Sequence, residues 1–293
     1  MMNRLTLILL GCLLAWPVMA EDVDRRLDAA ADGYVHVSNT SGSVTVRGWS
    51  RDEVEVSGTL GRNVEELVFE RKGNKVTIKV KLPKGSSRSS DADLRISVPA
   101  MSSIDIGTIS ADIDVADVSG FQSLHTVSGD ITSESAGGDV TAEAVSGDID
   151  IVGGGQDSQF QANSVSGDVS FFRASGTLEA ETVTGDLVAD EGSFDRADLN
   201  SVNGEILFLS ELRKGGRLTI ETVNGEVGVE FSNEVSARFD IESFNGDIDN
   251  CFGPEAVRTS RYSPGTELSF QHGSGDGRVT ISTMNGDISV CVD

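Results

Sequence analysis

Apolar and polar side chains alternate with a period of two along most of this chain, as they do in half-buried β-strands. The phase of the alternation reverses at regular intervals. Leu218, Ile220 and Thr222 share one phase, and Val227, Val229 and Phe231 share the other. The same reversal separates Phe160, Ala162 and Ser164 from Val169 and Phe171, and Val279, Ile281 and Thr283 from Ile288 and Val290. The pattern predicts a strand, a turn at a glycine, and a second strand whose apolar face still points inward.

Each reversal is centred on a short motif. The copies are Ser128-Gly129-Asp130, Ser146-Gly147-Asp148, Ser166-Gly167-Asp168, Thr184-Gly185-Asp186, Asn203-Gly204-Glu205, Asn224-Gly225-Glu226, Asn245-Gly246-Asp247 and Asn285-Gly286-Asp287. A degenerate copy, Ser110-Ala111-Asp112, opens the series, and successive central positions lie 18, 18, 20, 18, 19, 21, 21 and 40 residues apart. A period near 20 predicts an all-β solenoid, similar to a parallel β-helix, with one coil per repeat and the glycines stacked at a corner. The alternative is a β-sandwich built from hairpins, in which Ile220 would oppose Val229 and Leu218 would oppose Phe231. Three features favour the solenoid. Half the copies carry Ser or Thr where a two-residue hairpin turn prefers Asn. The period is held near 20, as stacking requires. The inward position before each corner is small: Ala144, Ser164, Thr182, Ser201, Thr222, Ser243 and Thr283.

Within that framework Gly129, Gly147, Gly167, Gly185, Gly204, Gly225, Gly246 and Gly286 have a structural role, a corner that a Cβ would obstruct. The acidic residues Asp130, Asp148, Asp168, Asp186, Glu205, Glu226, Asp247 and Asp287 point outward and form a column. Either each carboxylate accepts N–H bonds of its own corner and is otherwise solvated, or the column binds a cation, with Ca²⁺ the candidate.

The two ends depart from the repeat. The expected organisation is an export signal over 1–20, a linker over 21–32, an N-terminal β cap over 33–107 and the solenoid over 108–293. The stretch Lys84 to Ser90 reads as a loop. Residues 252–278, with Pro254, Pro264 and several glycines around a short strand at Leu268-Ser269-Phe270, are expected to loop out. That loop-out would make the Gly246 and Gly286 coils neighbours. Cys251 and Cys291 each lie five residues past their glycine, so they would sit in phase within disulfide range.

Charge and targeting narrow the function. The chain carries 23 basic and 47 acidic residues, a net of −24, which argues against nucleic-acid binding. Arg4, the apolar run Leu5 to Trp16 and Val18-Met19-Ala20 form an export signal too short to span a bilayer. A lipoprotein reading, with the lipid on Cys12 after Leu9-Leu10-Gly11, is the less favoured alternative. No transmembrane segment is expected in the mature chain, which is exported to the periplasm or cell surface. An even cysteine pair in an exported chain implies a disulfide.

Val46-Arg47-Gly48-Trp49, the serial Val-Ser-Gly-Asp and Val-Asn-Gly-Glu motifs, and Arg278-Val279-Thr280-Ile281 followed by Met284-Asn285-Gly286-Asp287-Ile288 resemble the exported bacterial β-strand-repeat family catalogued as “putative adhesins”, a domain of unknown function. The resemblance implies a solenoid-like envelope domain and carries no catalytic residues. It leads to a non-enzymatic envelope or surface scaffold that binds a protein or glycan partner and needs no cofactor. Two other readings stay open. One is a carbohydrate-active β-helix enzyme using the outward pairs Asp148/Asp150, Asp247/Asp249 or Asp112/Asp114. The other is a Ca²⁺-stabilised structural module. Trp49, Phe171, Phe172 and Phe208 read as core or cap packing.

Overall fold

The computed structural model describes residues 21–83, 91–260 and 264–292. The export-signal and Cys12 readings, and the loop expected at Lys84 to Ser90, lie outside the described residues. Strands dominate, and no helix occurs among the described residues.

The motifs are corners. In the middle of the chain, a first arm such as Val140–Ser146 leads into the corner, and a second arm such as Ile149–Val152 leaves it. First arms stack in parallel on first arms and second arms on second arms. Val140–Ser146 pairs with Gln122–Ser128 on one side and with Asp157–Ser166 on the other. Ile149–Val152 lies between Ile131–Ser135 and Val169–Phe172. This parallel stacking is the solenoid; hairpin pairing of Ile220 with Val229 does not occur, because Ile220 faces Leu199 and Ile281 while Val229 faces Phe208 and Val290.

Alternate side chains of both arms fill the space between the sheets. Leu178, Ala180, Leu187 and Ala189 are all 1% exposed or less, and so are Ile206 and Phe208. Towards the C-terminal end a run of phenylalanines continues this core. Phe194, Phe208, Phe231 and Phe239 have ring centroids about 6 Å apart (5.9, 6.0 and 6.1 Å), and Phe239 stacks on Phe270 at 4.5 Å.

The two ends carry layers of their own. Glu21–Asp28, expected as a linker, is a strand antiparallel to Glu53–Leu60; Val23, Val54 and Val56 are all buried. The region expected as a cap contains a coil of its own. Tyr34–Trp49 stacks along Ser103–Val118 from Tyr34 opposite Ser103 to Arg47 opposite Ala116. Ser41-Gly42-Ser43 there stands opposite Ser110-Ala111-Asp112, a further copy of the corner too degenerate to recognise in sequence. Lys75–Lys81 and Ala92–Pro99 stack in parallel on the other side of Tyr34–Trp49, and the antiparallel strands Glu66–Lys72 and Glu53–Leu60 pair with these two, with Glu21–Asp28 outside Glu53–Leu60.

At the other end the coils are not stacked in chain order. The Gly225 coil pairs with the Gly286 coil, and the Gly286 coil pairs with the Gly246 coil, so the final coil is inserted between its two predecessors. Residues 252–278 do not simply loop out. Thr266–His272 returns antiparallel along Ala237–Asn245 and covers it, and the short strand Val257–Arg258 adds outside that. Leu268 is buried there, and the Phe239–Phe270 stack is the main apolar contact. Cys251 and Cys291 sit on adjacent second arms with Cα atoms 4.9 Å apart and are joined by a disulfide.

Candidate functional site: an exposed apolar ladder beside the corners

The corner is built from several residues, each with its own neighbour on the next coil. The glycines, at φ +145° to +159° in six of the eight copies, lie so close to the adjoining coil that a Cβ on Gly167 would strike the Gly147 carbonyl. That carbonyl points along the stack and has no backbone donor. A buried carbonyl must find one, and the small residue three positions before the next glycine supplies it. The Ser164 hydroxyl donates to the Gly147 oxygen (3.4 Å), Thr182 to that of Gly167 (3.2 Å) and Ser243 to that of Gly286 (2.9 Å). The position is small at every corner, but the hydroxyl cap is made at only some of them: Ala144 has no hydroxyl, and the buried hydroxyls of Ser201 and Thr222 find no hydrogen-bond partner.

The acidic column does not bond its own corner, as expected from sequence, but the next one. Asp112 Oδ1 accepts the N–H of Asp130 at 3.1 Å, Asp130 that of Asp148 at 3.0 Å, Asp148 that of Asp168 at 2.9 Å, Asp168 that of Asp186 at 2.8 Å, and Asp186 that of Glu205 at 2.7 Å. The physical reason is the strand-to-strand spacing of about 4.8 Å, which puts the neighbour's N–H within reach of an outward Asp. Where Glu205 and Glu226 replace Asp, an asparagine ladder runs instead: Asn224 donates to Asn203 (2.9 Å), Asn285 to Asn224 (2.8 Å) and Asn245 to Asn285 (2.9 Å). Asp287 resumes the first pattern with Asp247. Among the described residues, no three His, Cys, Asp or Glu side chains converge as a metal site would require.

Of the carboxylate pairs considered for glycoside chemistry, Asp112/Asp114 and Asp148/Asp150 are engaged by neighbours, whereas Asp247 and Asp249 line an open groove beside Asn250 and Arg258. Asp114 forms a two-pronged pair with Arg47, Asp150 accepts the Ser170 hydroxyl, and Asp112 and Asp148 hold the backbone as above. Ser123, His125 and Glu143 form a hydrogen-bonded chain, with 2.8 Å from Ser123 Oγ to His125 Nε2 and 3.2 Å from His125 Nδ1 to Glu143 Oε2. It resembles a nucleophile, base and orienting acid. Its strands pair in register on both sides, which commits to the sheet the N–H groups that would have to stabilise an oxyanion. Beside it, Asp105 accepts from Tyr34 Oη at 2.6 Å and lies 2.8 Å from His36 Nδ1. Partial burial, then the Asp105 hydrogen bond and charge, push the Tyr34 hydroxyl up to about 12.

The feature that stands apart is apolar. The residue two places before each central corner position is exposed: Ile109, Val127, Val145, Val165, Val183, Val202, Val223, Met284 and Phe244, at 39% to 54%. In stacking order these form a ladder of nine rungs, about 38 Å long at the usual strand spacing. Between Val145, Val165, Val183 and Val202 on one side and His125, Glu143, Asn163 and Glu181 on the other runs a groove of about 590 Å³, floored by the small corner residues. The acidic corner column flanks the far side of the ladder. These valines belong to the repeated motif, which by itself does not name their face. The signal was available, because Thr126, Ser164 and Thr182 point inward and their neighbours must therefore point out.

Several solved structures share the extent of this chain. A “putative adhesin” from Parabacteroides merdae is 7% identical, covers 91% of this chain and 96% of its own, and has a TM-score of 0.46. A “putative adhesin” from Bacteroides fragilis is 12% identical, with coverage of 93% and 97% and a TM-score of 0.44. A “putative lipid binding protein” from Parabacteroides distasonis is 13% identical, with coverage of 92% and 96% and a TM-score of 0.39. With TM-scores below 0.5 these likenesses leave the functional reading to the site itself. No curated protein is detectably similar. The profile of one family matches residues 28–184 and again 174–291, and together these matches take in nearly the whole stack of coils: the chain belongs to the Toastrack DUF4097 family, a β-solenoid-like family of unknown function.

Proposed function

We propose that this protein is a non-enzymatic, exported scaffold of the cell envelope, and that the apolar ladder and its groove are the surface on which a protein partner docks. The observation that carries the reading is the unbroken exposure of nine large apolar side chains in a row. Single exposed apolar residues are ordinary, whereas a contiguous stripe marks an interaction surface. The export-signal pattern and the disulfide favour an oxidising compartment.

Charge selects the occupant. The stripe lies between the corner carboxylates and a second column containing Glu143, Glu181, Glu221 and Glu242. A second copy of this chain would set acid columns against acid columns. One wall of the groove is aliphatic and the other polar, and no Phe, Tyr or Trp lines it as a platform for a sugar ring. A basic segment with an aliphatic stripe fits both properties. As an amphipathic helix it would repeat its apolar side chains about every 5.4 Å, close to the rung spacing.

The reading is tested with a helical peptide carrying a leucine stripe flanked by lysines, and with its glutamate-flanked counterpart. The lysine peptide should bind the chain, weaken as salt is raised, and lose at least about tenfold in affinity (roughly 1.4 kcal/mol) in the triple variant Val145→Asp, Val165→Asp, Val183→Asp. These positions are exposed, so the variant should keep its circular dichroism spectrum. Equal binding of both peptides, or an unaffected variant, would overturn the reading. So would self-association of the wild type that the variant abolishes.

A further inference from the structure

A second column of like side chains runs up the same sheet, away from the ladder. Arg196, Arg217, Arg278 and Arg238 stand opposite one another in register on four successive first arms. All four are exposed. Arg196 is paired with Asp198. Arg217, Arg278 and Arg238 have no ion-pair or hydrogen-bond partner among the described residues. Asp240, two residues from Arg238 on the same face, accepts instead from the Ser269 hydroxyl at 3.0 Å.

This arrangement is costly for an acidic protein to leave uncompensated. Like charges directly opposite one another on adjacent strands repel, and acidic residues outnumber basic ones 47 to 23. Other arginines of this chain find carboxylates readily; Arg213, on the strand Ile206–Asn224 that also carries Arg217, holds both Asp157 and Asp195. Basic residues are also concentrated here. Nine follow residue 100, and six of them (Arg196, Arg213, Lys214, Arg217, Arg238 and Arg278) belong to these strands. The three unpaired arginines line a recess of about 370 Å³, with Gly216, Gly275 and Gly277 leaving its rim bare of side chains. The acidic side chain in the lining, Asp276, lies 3.7 Å from Lys214 Nζ.

We propose that this recess is an anion site for a phosphoryl group, a phosphomonoester or diphosphate, held by Arg217, Arg278 and Arg238. Three guanidinium groups on a stack with steps of about 4.8 Å span about 10 Å. A carboxylate brings one charge and two oxygens and satisfies one guanidinium fork. A phosphomonoester brings about −1.5 to −2 charge and three acceptor oxygens, so it can bridge neighbouring forks. A nucleic-acid backbone meets the surrounding acid columns and the net charge of −24, whereas a compact phosphoryl group enters the recess alone. The site does not depend on the apolar ladder.

The test uses the disulfide-bonded chain, with inorganic pyrophosphate titrated calorimetrically and phosphatidic acid vesicles set against phosphatidylcholine vesicles. Pyrophosphate should bind saturably. Arg217→Gln with Arg278→Gln should weaken it at least tenfold, while Arg258→Gln, outside the recess, should leave it unchanged. Vesicle binding that requires phosphatidic acid and is competed by pyrophosphate assigns a lipid headgroup; binding of pyrophosphate without vesicle binding assigns a soluble phosphorylated ligand. Absence of saturable binding, or equal loss in all variants including Arg258→Gln, would overturn the proposal.

Discussion

At the scale of single residues, the corner motif is a set of contacts between coils rather than a turn in its own right. Gly167 needs both its positive φ and the absence of a Cβ, because the Gly147 carbonyl occupies that space. Gly167→Ala is expected to destabilise the fold by at least about 2 kcal/mol, since it adds a collision to an unfavourable backbone region; urea unfolding would check this, and an unchanged midpoint would refute it. Tyr34 gives a second residue-level expectation. Its hydroxyl is raised from 10.0 to about 12 by burial first, then by the Asp105 hydrogen bond and charge. The native state therefore favours the protonated form. That contribution is fully present below pH 10 and is lost as pH rises from 10 through about 12. Tyr34→Phe should flatten this part of the stability-against-pH curve, and an identical slope in the variant would show that Tyr34 does not contribute to it.

At the scale of elements, the insertion of the last coil between the Gly225 and Gly246 coils gives the disulfide its meaning. The two cysteines are 40 residues apart in sequence, and their bond ties the outermost coil to the inserted one. Closing a loop of that length removes about 4 kcal/mol of chain entropy from the unfolded state. Replacing both cysteines by serine should lower stability by up to that amount. The loss should appear first as faster amide hydrogen exchange in Ile248–Asn250 and Ile288–Val292, whose partners lie across the bond. Exchange that rises uniformly over all coils would contradict the assignment of the bond to this end. The antiparallel layers at both ends act similarly: they give each terminal parallel coil a covered edge and core.

At the scale of the whole molecule, stacking converts a weak local pattern into long uniform columns: carboxylates, asparagines, valines and arginines, each repeated at the strand spacing. If the protein acts through these faces, as proposed, its location decides which partners it meets. If it displays its ladder outside the cell, protease treatment of intact cells should degrade the chain. Protection until the envelope is opened would confine it to the interior and redirect the search for the basic partner to periplasmic proteins.

The sequence by itself determined the repeat, the parallel coil, the corner glycines, the outward acid column and the phase of the two cysteines, because all of these are local or periodic. Leu218, Ile220 and Val227 declare their face through alternation alone, and the period near 20 favours stacked coils over a hairpin array, a choice that the parallel pairing of Ile220 with Leu199 and Ile281 settles. The exposed ladder was implicit in the same parity. What only the tertiary structure decided depends on which coil lies beside which. Asp148 serves Asp168 rather than its own corner, Ser41-Gly42-Ser43 is a corner despite its degenerate sequence, and Glu21–Asp28 is a strand. The Gly286 coil enters between its predecessors, and four arginines far apart in sequence become one column. Alternation fixes the face of a strand but not its neighbour; that is settled by edge coverage and by contacts such as Phe239 on Phe270, which are formed only when the coils assemble.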